Sequence, residues 1–368
     1  MTIPGAMTSP GAMTIRGAMT IPKTMKAVVT RGHGEMDMLD HTDVPVPAPR
    51  PGEVLVRVSA CGLNNTDVWN REARYGTDRD PEARAGVGRK PGQWPRIQGC
   101  DVVGRIAAVG AGVDPKRIGT RVLCNFVMYG PTGLGFAGGL GSTRDGGYAE
   151  YTTLPDANAH DVGDIALSDT ELATFPCAYV TAEHMLDTIA LKSGERVLVT
   201  GASGGAGSAL VQLAHARGAK VIAVTSTPWL DKVRSLSPLL AVARDAGSVY
   251  EQVRAALGED GVDAVADVVA GPLFNDALAL MRPGARYVTA GAMGGAVVPF
   301  DIRTIYLKKL TLYGVSIGYP QHFAAMLAHI RSGAIKPLLA ATFPLARFKD
   351  AQALFISKTF FGNIVVEP

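Results

Sequence analysis

The chain has 368 residues, long for one domain and comfortable for two. With 47% hydrophobic and 19% charged residues and a formal net charge of +3, it has the balance of an ordinary soluble globular protein. No lysine–arginine run offers a nucleic-acid surface, and no apolar stretch approaches the roughly 20 residues that a membrane-crossing helix needs. The four cysteines, Cys61, Cys100, Cys124 and Cys177, form no C-x-x-C pair, which argues against a zinc knuckle or a disulfide framework and fits a reducing cytoplasm.

Met1, Met7, Met13 and Met19 head near-copies of a hexad punctuated by Pro and Gly. That period matches neither helix nor strand, and the stretch lacks the apolar core of a signal peptide. Residues 1–24 are therefore expected to be a disordered N-terminal extension, with Met25 opening the fold. Short apolar runs follow at 26–30, 53–60, 102–110, 120–124 and 148–153, separated by Pro and Gly turns. They predict an all-β, barrel-like domain. Two glycine-rich stretches interrupt it, 71–96 with Tyr75 and Trp94, and 125–147 with Tyr129 and Phe136. Loops of this length are expected at the mouth of a cleft. Residues 167–191 have helical spacing and open on Ser168 and Glu171, a capping box.

Residues 195–218 carry the most information. An apolar, β-branched run at 196–200 reads as a strand buried on both faces. Gly201, Ala202, Ser203, Gly204, Gly205, Ala206 and Gly207 form a glycine-rich turn. Leu210, Leu213 and Ala214 then recur at helical spacing, Gly218 stops the helix, and 220–225 is a second strand. Strand, glycine turn, helix and strand make a βαβ unit. The glycines let the backbone turn sharply and approach a ligand, and the helix N-terminus offers unpaired N–H groups to a pyrophosphate. The turn is thus a candidate dinucleotide site. A strand at 262–269, a helix at 274–281 and strands at 285–290 and 310–315 extend the alternation into a doubly wound parallel sheet. Val269, Ala290, Gly291 and Ser316 end those strands, where ligands bind in such sheets. A terminal strand at 363–367 is expected to rejoin the first domain.

The second strand ends at Ser226, where an NAD site would place a carboxylate for the ribose 2′-hydroxyl. A hydroxyl there does not repel a 2′-phosphate and can donate to it, which favours NADP(H). Trp229 stands near there, with Lys232 and Arg234 beyond it. The alternative is a hydroxyl cluster that caps the next helix.

Several stretches, in this order along the chain, together resemble the medium-chain dehydrogenase/reductase superfamily, most of all its quinone-oxidoreductase-like branch. They are Lys26-Ala27-Val28-Val29, Cys61-Gly62-Leu63-Asn64-Asn65-Thr66-Asp67, Gly99-Cys100-Asp101-Val102-Val103-Gly104, Gly147-Tyr148-Ala149-Glu150-Tyr151, Cys177-Ala178-Tyr179-Val180-Thr181-Ala182 and the glycine turn. The resemblance spans nearly the whole chain from Met25. It implies an α/β protein with a GroES-like β-barrel catalytic domain, residues 25–160 and 318–368, and a doubly wound Rossmann domain, residues 161–317. A nicotinamide cofactor would lie between them. Thr181, four residues after Cys177, would pack on the nicotinamide ring or else bond the preceding helical turn.

The same resemblance supplies the catalytic candidates Asn64, Thr66 and Asp67, and the two long loops add Tyr75. Thr66 falls at the relay hydroxyl of zinc alcohol dehydrogenases, and Trp69 falls where many of them carry a histidine. Tyr75 and Tyr129 are candidate proton donors, and Asp67 either orients the site or accepts backbone hydrogen bonds in a turn. Asn64, Cys100 and Cys177 align with the three zinc ligands. A neutral amide is a poor zinc ligand, and no cysteine lies between residues 125 and 147 to hold a structural metal, so no metal is expected. Asp101 beside the two thiols is the counter-case.

These readings lead to a cytoplasmic NADPH-dependent oxidoreductase that transfers hydride to a small conjugated carbonyl, enone or quinone. It is expected to work as a homodimer through the sheet edge at 310–315. The alternatives are an alcohol/aldehyde dehydrogenase with an atypical metal site and a non-catalytic NADPH-binding protein.

Overall fold

The computed structural model describes residues 20–75, 93–130 and 136–368, apart from the side chain of Phe136. The first domain runs through β1 (Thr24–Thr30), β2 (Leu39–Pro45), β3 (Glu53–Gly62), α1 (Asn65–Arg71), β4 (Arg96–Ile97), β5 (Asp101–Val109) and β6 (Arg121–Cys124). It continues through β7 (Val127–Tyr129), β8 (Phe136–Gly139), β9 (Tyr151–Pro155) and β10 (Ala159–Asp161). Helices α2 (Asp169–Leu172) and α3 (Pro176–Thr188) lead into the second domain. That domain is β11 (Arg196–Val199), α4 (Gly205–Ala216), β12 (Lys220–Thr225), α5 (Leu230–Arg234), β13 (Leu240–Ala243), α6 (Val249–Leu257), β14 (Val262–Asp267), α7 (Leu273–Leu280), β15 (Met281–Thr289), α8 (Arg303–Lys308) and β16 (Thr311–Gly314). The chain returns through α9 (Pro320–Ser332), β17 (Leu339–Pro344), α10 (Phe348–Ser357) and β18 (Asn363–Glu367).

The barrel domain is built on β3, an apolar strand that pairs with β5, β9 and β18 in a sheet of order β10-β6-β5-β3-β18-β17. The second sheet has the order β13-β12-β11-β14-β15-β16 and every pair in it is parallel. Its central strands are valine-rich and buried, as crossover helices on both faces require. Strand order reverses at β11, so the crevice beyond that strand's C-terminal end is where such a sheet receives a ligand.

Several sequence expectations shift. The helix expected over 167–191 is two helices, because Pro176 lacks an N–H and starts a new helix at its first position. The glycine-rich stretch 125–147 contains a hairpin, β7–β8, too short and too glycine-rich to show a strand period. The fold opens before Met25. Thr24 already pairs with Pro45, and Ile21 packs on the barrel core. The expected extension is therefore too long at its C-terminal end, and residues 1–19 lie outside the described residues. The loop expected over 71–96 is also shorter. Arg71 is the fully buried last residue of α1, bonded to Gly34 O and Gln352, while Arg96 and Ile97 pair with β1. Residues 76–92 lie outside the described residues.

Helix α9 packs Phe323, Met326, Leu327 and Ile330 into the same core as α3 and α4. The chain thus rejoins the barrel sheet only at β17, later than the expected boundary at 318. The seam between domains is held by Gln212 of α4. Its Oε1 accepts from Lys336 N at 2.7 Å, and its Nε2 donates to Lys336 O at 3.2 Å and to the Tyr179 hydroxyl at 2.7 Å. Among the described residues no helix is long and apolar enough to cross a membrane.

Candidate active site

The glycine turn is a cradle made of backbone. Gly201 has a φ of +63°, which a side chain would strain. A Cβ on Gly207 would stand 2.0 Å from Gly201 O, so the start of α4 can lie on the turn only if residue 207 is glycine. Ala202 N donates to Val224 O at 3.0 Å, and Ser203 O accepts from Gly362 N at 3.2 Å, so β12 and the approach to β18 both brace the turn. The first N–H groups of α4 have no partner within the helix and point out of its N-terminus, which suits a pyrophosphate.

The strand ends gather around this cradle. A Cβ on Gly201 would lie 3.0 Å from Val269 Cγ2, and one on Gly291 would lie 3.0 Å from Val268 O. Ala290 N donates to Asp267 O at 3.3 Å, and Val315 N donates to Thr289 O at 2.9 Å, which sets Ser316 just past β16. Sequence reasoning missed Asp267. This fully buried carboxylate accepts from the Thr200 hydroxyl at 2.5 Å, the Tyr287 hydroxyl at 2.6 Å, Val269 N at 2.8 Å and Ala270 N at 2.9 Å. It shapes the turn that presents Val269; an acid closing a largely apolar strand was its one sequence signal.

At the far end of the crevice Ser226 follows β12 as expected. The structure adds a carboxylate there. Asp245, beyond β13, accepts from Thr227 N at 2.8 Å and from the Thr227 hydroxyl at 2.9 Å. Those hydrogen bonds, with Arg244 nearby, hold its carboxyl below the usual range. Nothing in the sequence marks Asp245, because the parallel pairing of β12 and β13 is what brings it to Thr227. Trp229 turns toward Phe361, with ring centroids 6.3 Å apart, and Arg234 pairs with Asp231 at 2.9 Å.

On the barrel side Asn64 precedes α1 and donates through Nδ2 to Asp101 Oδ2 at 2.9 Å and to Cys100 Sγ at 3.5 Å. Asp67 makes the turn contacts of one of its two readings. Its carboxylate accepts from Asn64 N at 2.9 Å, Gly99 N at 3.3 Å and the Tyr148 hydroxyl at 2.6 Å, and it is buried. Burial pushes its carboxyl up to about 6 against the opposing pull of those donors. Asp67 thereby fixes α1 against the segment that carries Cys100 and Asp101.

Asp101 is buried as well. Its Oδ1 accepts from Cys177 N at 2.9 Å and from the Cys100 thiol at 3.4 Å, and burial pushes its carboxyl to about 7. Thr66 and Tyr75 come together. The Tyr75 hydroxyl is bonded to Thr66, its ring meets Trp69 edge-on at 5.5 Å, and burial raises the phenol to about 12. Thr181 lies one turn beyond Cys177 on α3.

The ligating atoms of Cys100, Asp101 and Cys177 lie within 4.8 Å of one another. A catalytic zinc requires three ligating side chains and an open position. Here the first ligand position turns an amide N–H toward Cys100 and Asp101, and both Asp101 oxygens already accept hydrogen bonds. A cation would have to displace that network, so these residues do not fit the zinc of the fold family. The glycine cradle does fit a dinucleotide.

A family model described as a zinc-binding dehydrogenase matches residues 205–332, and one described as an alcohol dehydrogenase GroES-like domain matches residues 50–164. Quinone oxidoreductase of Rattus norvegicus is 30% identical over 340 residues, covering 90% of this chain and 93% of that protein. The chloroplastic NADPH-dependent alkenal/one oxidoreductase of Arabidopsis thaliana is 28% identical over 361 residues, covering 94% and 80%. A solved structure from Sinorhizobium meliloti, provisionally named an alcohol dehydrogenase, superposes with a TM-score of 0.91 at 50% identity over 95% of this chain and 98% of that one. With the barrel, the parallel sheet and the glycine cradle, these matches identify the chain as a member of the medium-chain dehydrogenase/reductase superfamily in its quinone-oxidoreductase-like branch, an oxidoreductase family that uses a nicotinamide cofactor.

Proposed function

We propose that this enzyme is an NADPH-dependent reductase of small conjugated carbonyls, enones or quinones, that works without a catalytic zinc in the cytoplasm. The observation that carries the reading is Asn64 at the first ligand position, bonded through its amide to Asp101 at 2.9 Å. Without a strong Lewis acid a simple ketone is poorly polarised. A conjugated acceptor takes hydride more readily, because the resulting charge is delocalised onto its oxygen.

The bound cofactor supplies the hydride. The turn Gly201 to Gly207 and the start of α4 would hold its pyrophosphate, and Ser226 and Thr227 its adenosine ribose. Val269, Ala290, Gly291 and Ser316 would hold its nicotinamide half, with Thr181 against the ring. Hydride arrival leaves an enolate or phenolate oxygen that needs a proton. Tyr75 stays protonated at neutral pH, since burial raises its phenol to about 12, and it donates that proton with Thr66 as its hydrogen-bonded neighbour. Asn64 and Asp67 position these groups.

A homodimer through β16 completes the reading. Among the described residues that edge strand has no partner on its outer side, and Val297, Ile302, Tyr306, Leu307 and Tyr313 expose large apolar side chains around it. A second copy related by a two-fold axis would cover them. A monomeric mass at micromolar protein would refute that part.

The decisive experiment is an NADPH-oxidation screen over quinones, enones and simple aldehydes, with NADH in parallel and elemental analysis of protein purified without metal affinity. Quinone or enone turnover by zinc-free protein is expected. The second reading, an alcohol dehydrogenase with an atypical metal, draws on the closeness of Cys100, Asp101 and Cys177. Activity confined to simple alcohols and aldehydes, lost on chelation and restored by zinc, would establish that reading instead.

A further inference from the structure

Tyr129 ends β7, on the barrel side of the cleft. Its ring packs on Tyr319 with centroids 5.6 Å apart. Tyr319 comes from the other domain, just after Ser316, Ile317 and Gly318. That segment is fixed on α3. Ile317 O pairs with His184 Nδ1 at 3.0 Å, a Cβ on Gly318 would stand 2.6 Å from Val180 O, and the Tyr319 ring meets His184 edge-on at 5.1 Å. Through Tyr319, Tyr129 thus meets the segment that rests on the stretch of α3 carrying Thr181.

The hydroxyl of Tyr129 is buried and has no hydrogen-bond partner among the described residues. Buried polar groups are nearly always paired, so an orphan of this kind needs an explanation. Among the described residues Arg71 Nε is also unpaired, but that side chain keeps its other nitrogens bonded, whereas Trp94 Nε1 and Thr225 Oγ1 are, like the Tyr129 hydroxyl, the sole polar atom of their side chains. Of these three side chains, the Tyr129 ring is the one that packs on Tyr319. Burial and the neighbouring Tyr319 push its phenol up, so at neutral pH it is a standing donor. Tyr75 differs, because its hydroxyl already has Thr66.

We propose that the substrate completes this hydroxyl: Tyr129 donates a hydrogen bond to a carbonyl oxygen of the conjugated acceptor, and its ring with that of Tyr319 forms a wall for a flat, unsaturated molecule. The proposal rests on the reductase reading and adds a substrate-contacting residue opposite Tyr75. It favours acceptors with two separated oxygens, as in a quinone, over a mono-oxygenated enone.

The test is Tyr129→Phe, read three ways with 1,4-naphthoquinone as the probe. Removing an unpaired hydroxyl should leave Tm unchanged or slightly raised. Binding of the probe, followed by quenching of tryptophan fluorescence, should weaken by about tenfold, and kcat/KM with NADPH should fall by about as much, the loss of one buried hydrogen bond. A marked fall in Tm would mean that the hydroxyl is bonded in the free protein, and it overturns the proposal. Unchanged Tm with unchanged probe binding overturns it too. Failure of the reductase reading looks different: wild-type protein that binds the quinone and oxidises no NADPH. In that case a Tyr129→Phe loss of binding still supports the contact, and an equal affinity still removes it. As a control on the ring wall, Tyr129→Leu should weaken probe binding further than the Phe variant, and equal weakening would leave the wall without support.

Discussion

The two sides of the cleft are made of different material. The cofactor side is backbone. Its essential contacts are Gly207 against Gly201 O, Ala202 N to Val224 O and the free N–H groups at the start of α4. The barrel side is side chains. Asn64, Asp67, Gly99, Cys100, Asp101, Tyr148 and Cys177 come from four separate segments and are tied by one buried hydrogen-bond network. A backbone site is intolerant of bulk and indifferent to pH. A buried carboxylate network tolerates bulk poorly as well, and in addition it titrates.

The largest effect should come from breaking the backbone side. Gly207→Ala puts a Cβ 2.0 Å from Gly201 O, where neither partner is a flexible side chain. It should cost about 1–3 kcal/mol or more in stability and abolish measurable NADPH binding, read by denaturant melts and calorimetric titration. Retained affinity for NADPH would mean that the dinucleotide does not use this turn.

Asp101→Asn tests the barrel side through pH. Burial raises the carboxyl from 3.8 to about 7, so the folded state holds its proton more tightly than the unfolded chain does. The stabilisation from this protonation is complete below 3.8 and fades as pH rises toward 7. Across that window wild type should lose stability relative to Asp101→Asn, by on the order of a few kcal/mol, with a level difference above it. Parallel melting curves for the two proteins across that range would contradict a buried, proton-holding Asp101. The same titrations on the cofactor side, comparing Gly207→Ala with wild type, should show no such slope.

The smallest effect sharpens the one place where the cofactor side depends on side chains. Asp245 brings an exposed negative charge to Thr227, beside Ser226. Asp245→Asn keeps an acceptor for Thr227 and removes the charge, so NADPH should bind about two- to fivefold more tightly while NADH is unchanged, and the difference should shrink at high salt. Ser226→Asp should move preference the other way, by like-charge repulsion of a 2′-phosphate. Equal effects on both cofactors in isothermal titrations would place Asp245 away from the 2′ position.

Legibility from sequence follows the same division. The strand, turn, helix and strand at 196–225 were readable because every requirement lies within one contiguous stretch: β-branched runs, glycines and a helical repeat. Terminal strand β18 and the Ser168–Glu171 capping box were readable for the same reason. The hairpin β7–β8 and the split at Pro176 were misread, one for want of a period and one because helical spacing runs through a helix start. Asn64, Thr66 and Tyr75 were named as candidates, yet which hydroxyl meets which, and the turn role of Asp67, needed the fold.

The sequence by itself determined the parallel sheet and the glycine cradle, since these are local properties of residue type and spacing, and its family resemblance put an amide, Asn64, at the first ligand position. Only the tertiary structure decided that Asp101 is enclosed by Asn64, Cys100 and Cys177, that Asp245 reaches Thr227 and that the Tyr129 hydroxyl is buried without a partner among the described residues. Those are contacts between residues far apart in the chain, and burial and hydrogen bonding are set by what folding brings alongside a group.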